Sequence, residues 1–118
     1  MNLAQIIEQL NLKVLTEGKD FSAVVPTGGY AADLLSCVMT GAPHGSIWVT
    51  LQAHSNIVAV AALLELSAVI ITEGAMPDTT TIDKANQEDI TLLGSSQDTY
   101  KVAGQLWEMG LKTNPNFP

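Results

Sequence analysis

Between Ser46 and Glu73 the apolar residues form two short unbroken runs on either side of one apolar helix, and the rest of the chain arranges itself around that stretch. Ile47 to Leu51 has the character of a strand, Gln52 to Asn56 of a polar turn, Ile57 to Leu66 of a helix, and Ala68 to Ile71 of a second strand. This is one βαβ unit. Near-continuous β-branched runs are what strands covered on both faces look like, and a parallel pair needs a crossover of about this length.

Before this unit, Leu3, Ile6, Ile7 and Leu10 recur at helical spacing and predict an amphipathic first helix. Lys13 to Thr16 and Phe21 to Val25 are short strand candidates joined by a Glu17 to Asp20 turn, which suggests a hairpin-like pair. Pro26 to Tyr30, with its paired glycines, breaks the second of them. A helix is predicted directly afterwards, with Ala31, Leu34, Leu35, Val38 and Met39 as its inward stripe, Asp33 in its first turn and Gly41 as its stop. After the central unit, Thr80 to Asp83 has capping-box spacing and opens a mostly solvated helix to about Gln87. Ile90 to Leu93 is a further strand. Ser95 or Ser96 can cap a last helix whose inward residues are Thr99, Val102, Ala103, Leu106 and Trp107, stopped by Gly110. Residues 113–118 are read as a tail beyond a single domain of residues 1–112. The alternation of strand and helix predicts an α/β domain with a mainly parallel sheet and helices on both faces.

Composition narrows the function classes. Twelve acids face five lysines, no arginine occurs, and the net charge is −7. Arginine is the usual bidentate reader of phosphate, and a negative chain repels polyanions, so nucleic acid and anionic membrane surfaces are not expected partners. Cys37 is the only cysteine, which excludes an internal disulfide, and its position in a helical pattern predicts a buried small hydrophobe. The stretch from Ile57 to Ile71 is interrupted by Glu65 and Ser67 and falls short of the ~20 residues that span a bilayer. The N-terminus lacks the basic, then apolar, order of a secretory signal, and the expected location is the cytoplasm.

Candidate chemistry collects where strands end. Thr50, Gln52, His54 and Asn56 fall at the carboxyl end of a strand, where parallel sheets offer a crevice, and Thr72, Glu73 and Ser95 end or follow its neighbours. Two accounts of the first four stand side by side: a ligand pocket, or a cap for the central helix with loop hydrogen bonds. Thr27, Gly28 and Gly29 precede a predicted helix as an anion-holding turn does, but neither dinucleotide nor P-loop spacing is present, and a tight strand-to-helix turn is the simpler account. His44 and His54 lack metal-ligand spacing, Ser36 and Cys37 are not on a nucleophile elbow, and no motif implies a metal, a cofactor or a catalytic residue.

Thr27-Gly28-Gly29-Tyr30, Asp33-Leu34-Leu35-Ser36, Ile47 to Thr50, His54-Ser55-Asn56-Ile57-Val58-Ala59-Val60-Ala61, and Leu93-Gly94-Ser95 followed by Thr99 to Gly104 resemble the DRTGG domain family over about residues 2 to 110. The Asp-Arg of the family's name is replaced by Val25-Pro26. The resemblance implies an α/β fold similar to the N-terminal domain of HPr kinase/phosphorylase and, more distantly, to those of Mur ligases. It also implies a role like that of DRTGG domains beside CBS domains in some pyrophosphatases, which look like regulatory or subunit-contact modules. It carries over no catalytic residue. The expected function is a non-catalytic module that regulates or binds a small polar ligand and self-associates, at least as a homodimer, since the apolar residues of the central helix surround its axis. The alternatives are an enzyme of small metabolites using His54 and Glu73, and a purely structural dimerisation domain.

Overall fold

The computed structural model describes residues 1–113, and residues 114–118 of the expected tail lie outside the described residues. A five-stranded sheet has the order β1-β5-β4-β3-β2, from β1 (Lys13–Val14), β2 (Gly29–Ala31), β3 (Ile47–Thr50), β4 (Ala68–Ile71) and β5 (Leu92–Gly94). The β2–β3, β3–β4 and β4–β5 pairs are parallel, and only β1 runs antiparallel, with Lys13 opposite Gly94. The helices are α1 (Leu3–Gln9), α2 (Leu35–Gly41), α3 (Asn56–Leu63), α4 (Thr79–Gln87) and α5 (Thr99–Glu108).

Every residue of β3 and β4 is buried, as the unbroken apolar runs require. Alternation along the strands divides the core in two. Trp48, Val69, Ile71 and Leu92 face a layer containing Val38 of α2, Ile57, Val58 and Ala61 of α3 and Ala85 of α4. Ile47, Val49, Ile70 and Leu93 face Leu3 and Ile6 of α1 and Val102 and Leu106 of α5. The structure thus has the doubly covered, mainly parallel architecture that the alternation predicts. Among the described residues no helix is long and apolar enough to cross a membrane.

The largest differences lie between residues 11 and 41; beyond them, Trp107, expected to face inward on the last helix, is 51% exposed. Phe21–Ala23 is a single 3₁₀ turn rather than a strand, capped by the Asp20 side chain on the Ser22 N–H, and the Leu3 N–H donates to the Val24 carbonyl. No hairpin forms, because β1 pairs with β5 instead. Gly29 to Ala31, read as the end of a turn and the start of a helix, is the edge strand β2, and α2 begins four residues later, at Leu35. A three-residue segment that opens on the second of two glycines has little strand propensity of its own, and pairing with β3 overrides it. The predicted stripe of α2 is correspondingly wrong at its margins. Val38 is fully buried and Leu35 partly so, whereas Leu34 is 63% and Met39 50% exposed. Cys37, expected inside, is exposed.

The central helix also finds its cover within the chain. Ile57, Val58, Val60, Leu64 and Leu66 are buried, and Leu63 alone of the residues taken to need a second surface is exposed. The argument for self-association from an apolar surround therefore does not hold. The helix is enclosed because α2 and α4 flank it on the same face of the sheet.

Candidate functional site

Three parallel strands end at one edge of the sheet, and the loops after Thr50, Ile71 and Gly94 converge there. Asp33, assigned by spacing to a helix's first turn, lies instead in the loop before α2 and reaches across to the β3 end. Its Oδ1 accepts from the Thr50 hydroxyl at 2.8 Å and from the Leu51 N–H at 2.9 Å. The Thr50 hydroxyl in turn accepts from the Gln52 N–H at 3.1 Å, and Gln52 Nε2 donates to the Asp33 carbonyl at 3.3 Å. Thr50 and Gln52 thereby belong to the frame of the edge.

His54 and Asn56 are joined by helix capping. Ser55, at the N-cap of α3, makes no side-chain cap bond, and His54 Nδ1 accepts from the Asn56 N–H at 3.2 Å instead. The Asn56 side chain is at the exposed start of the helix.

The ends of β4 and β5 are tied to each other in the same way. Glu73 sits in the left-handed region at φ 62° and Gly74 follows at φ 69°. Their N–H groups donate to the carbonyls of Gln97 and Ser95 at 2.8 and 3.0 Å, and the Glu73 carboxylate accepts from the Thr99 N–H at 2.7 Å. The Thr72 hydroxyl is buried against the Thr50 carbonyl and the Thr99 hydroxyl, and Ser95 Oγ accepts from the Gln97 N–H. Neither predicted serine caps α5; Asp98 does, through the Lys101 N–H at 2.8 Å, and Asp78, two residues before the predicted box, caps α4 through the Thr81 N–H at 2.8 Å. That backbone bond, then the Thr81 side chain, holds the Asp78 carboxyl below the usual carboxylate range, with a smaller contribution from the nearby His54 charge.

Two clefts flank the loop that leaves β4, and Met76 lines both. The first, about 370 Å³, is bounded by His54 and Ser55 at the start of α3 and by Asp78, Thr80 and Thr81 at the start of α4. The second, about 310 Å³, is bounded by Ser95, Ser96 and Gln97 together with Asn11, Lys13 and Leu15 from the start of the chain. Of the residues proposed from sequence, His54 lines the first cleft and Ser95 the second. Glu73 lines neither, and its carboxylate is engaged, so it does not meet His54 as an acid–base pair in either cleft.

Thr27, Gly28 and Gly29 are not on this edge. Gly29 pairs with Ile47, at the amino end of the strands, opposite the Thr50 end. Their glycines answer to packing: a Cβ on Gly28 would fall 2.8 Å from the Lys112 carbonyl oxygen, and the Gly29 N–H donates to that oxygen at 3.0 Å. The Thr27 hydroxyl donates to the His44 carbonyl at 2.7 Å. The residues that sequence reasoning missed are Asp78, Gln97 and Lys13, and it read Asp33 as a first-turn helix residue rather than as the partner of Thr50. Asp78 and Asp98 carry a legible signal, an aspartate just ahead of a helix, whereas Asp33 and Lys13 are brought in only by tertiary pairing. Among the described residues no group of three or more His, Cys, Asp or Glu side chains is placed to hold a metal ion.

A family model described as the DRTGG domain matches residues 5–109. No curated protein matches the chain. Among solved structures, it is similar to the crystal structure of the CBS and DRTGG domains of the regulatory region of Clostridium perfringens pyrophosphatase complexed with activator, diadenosine tetraphosphate. The TM-score is 0.73 at 18% identity, and the match covers 98% of this chain and 52% of that one. The chain thus spans about half of that structure, and the likeness is one of fold.

Proposed function

Because this chain belongs to the DRTGG domain family, we propose that it is a non-catalytic regulatory module that binds a small polar ligand at the carboxyl edge of its sheet and self-associates. The observation that carries the ligand reading is the pair of clefts on either side of the β4–α4 loop, where three strand ends and two helix starts present hydroxyl, imidazole and amide groups. The neighbouring regulatory region is complexed with a dinucleotide activator, and it contains CBS domains as well as the part this chain resembles. For this chain a net charge of −7 without arginine disfavours a tetraphosphate and favours a neutral or singly charged molecule. In this reading the ligand meets either His54 in the one cleft or Ser95 in the other, while Thr50, Gln52, Asn56, Thr72 and Glu73 hold the cleft walls. Thr27, Gly28 and Gly29 serve the opposite edge. Self-association is supported by exposed Leu34 just before α2, Met39 on α2 and Leu63 on α3, elements of one layer. An exposed lone thiol at Cys37 is in keeping with a reducing, cytoplasmic setting.

A thermal-shift screen against neutral and singly charged metabolites, followed by light scattering, tests both parts. The expected outcome is a saturable rise in Tm that His54→Ala combined with Ser95→Ala removes, and a solution mass at least twice the 12.5 kDa of one chain. A flat screen with a multimeric mass leaves the structural dimerisation domain as the better account. The engagement of Thr50, Thr72 and Glu73 in internal hydrogen bonds favours that second reading. A monomer at every concentration removes self-association.

A further inference from the structure

We propose that the cleft beside β1 and β5, rather than the one beside His54, is the ligand site, and that it takes a small monoanion carrying an apolar body and a hydrogen-bond donor; this rests on the ligand reading given above. The two clefts are similar in size but differ in charge. Asp78 lies in the wall of the His54 cleft. The other contains one charged side chain, Lys13, and no carboxylate, in a chain where acids outnumber lysines twelve to five. An anion is repelled from most of this surface, and of the two clefts on this edge only this one offers it a cation without an opposing carboxylate.

The remaining features of the ligand follow from what surrounds Lys13. Leu10, Leu15 and Met76 provide an apolar wall, which suits an aliphatic body. Ser95 and Ser96 supply hydroxyls near the strand end, and Gln97 supplies an acceptor. Its Oε1 is shielded from solvent and has no hydrogen-bond partner among the described residues. A buried acceptor without a partner is unfavourable, and a ligand N–H or O–H that meets it after a small rotation of the amide relieves that cost. One ammonium matches one negative charge, and nothing in the lining would neutralise a second.

N-acetyl-L-leucine has all three features, its methyl ester lacks the charge, and 4-methylpentanoate lacks the amide donor. Each is titrated into the isotope-labelled full chain and followed through backbone amide shifts. The expected result is saturable movement centred on Gly74, Gly94, Ser95 and Ser96, with the ester about three- to fivefold weaker, the scale of one exposed ion pair. 4-Methylpentanoate should also bind more weakly than the acetylated amino acid. Lys13→Gln should weaken N-acetyl-L-leucine by the same factor as esterification, and Lys101→Gln, a change of equal charge on α5, should not. Shifts centred on Ser55, Thr80 and Thr81 overturn the choice of cleft and leave ligand binding standing. No saturable shift, or equal binding of acid and ester, overturns the ligand class. Failure of the broad metabolite screen as well removes the underlying reading.

Discussion

Asp33 and Thr50, seventeen residues apart in sequence, are joined by a 2.8 Å hydrogen bond that fixes the loop before α2 to the end of β3. The same carboxylate oxygen takes the Leu51 N–H, and the same hydroxyl takes the Gln52 N–H, so a single pair orders the first two residues after the strand. Thr50 is fully buried. Thr50→Val keeps the shape and removes the hydroxyl, leaving the Gln52 N–H without its acceptor. The expected cost is about 1–3 kcal/mol, and Thr50→Ser should restore most of it. Denaturant melts of the two variants check this; equal losses would mean that the methyl group, not the hydroxyl, is what the site needs.

The division of the core predicts a contrast between two leucine-sized residues near the same face. Ile57, at the start of α3, has no exposed surface, whereas Leu34 is 63% exposed. Ile57→Ala should destabilise by about 2–5 kcal/mol because a cavity opens between helix and sheet. Leu34→Ala should stay within about 0.5 kcal/mol, as surface changes do. Should Leu34→Ala in fact alter the solution mass, its exposed side chain belongs to the self-association surface.

Asp78 predicts a pH dependence whose sign is fixed. Its carboxyl is held below the ordinary range by the Thr81 N–H and side chain, so the folded state releases this proton more readily than the unfolded one. The stabilisation is complete above the unfolded value of about 3.9 and fades as pH falls through the lower folded value. Wild type should therefore melt above Asp78→Ala at neutral pH, with the gap narrowing below about pH 4. Circular dichroism melts across that range read the difference directly. A gap that does not change with pH would exclude the ionised carboxylate as its source.

The sequence by itself determined the elements whose residues carry a long, unambiguous pattern. β3, β4 and the two helices α1 and α3 are where their apolar residues require, because burial on both sheet faces or on one helix face leaves a direct imprint on residue type. The same pattern, together with the resemblance carried by His54 to Ala61, was enough for fold class and family. What the tertiary structure decided is everything held by partners distant in sequence. Gly29 to Ala31 is a strand only because β3 lies beside it, and Gly28 must lack a side chain only because the Lys112 carbonyl passes 2.8 Å from where one would begin. Apolar count could not show whether α3 was covered by α2 and α4 or by another subunit. Strand ends announce a crevice in sequence, but which polar groups remain free in it depends on which are already bonded. Thr50 and Glu73 were spent on Asp33 and Thr99, and Lys13 arrived from the other end of the chain through the antiparallel pairing of β1 with β5, which no local pattern encodes.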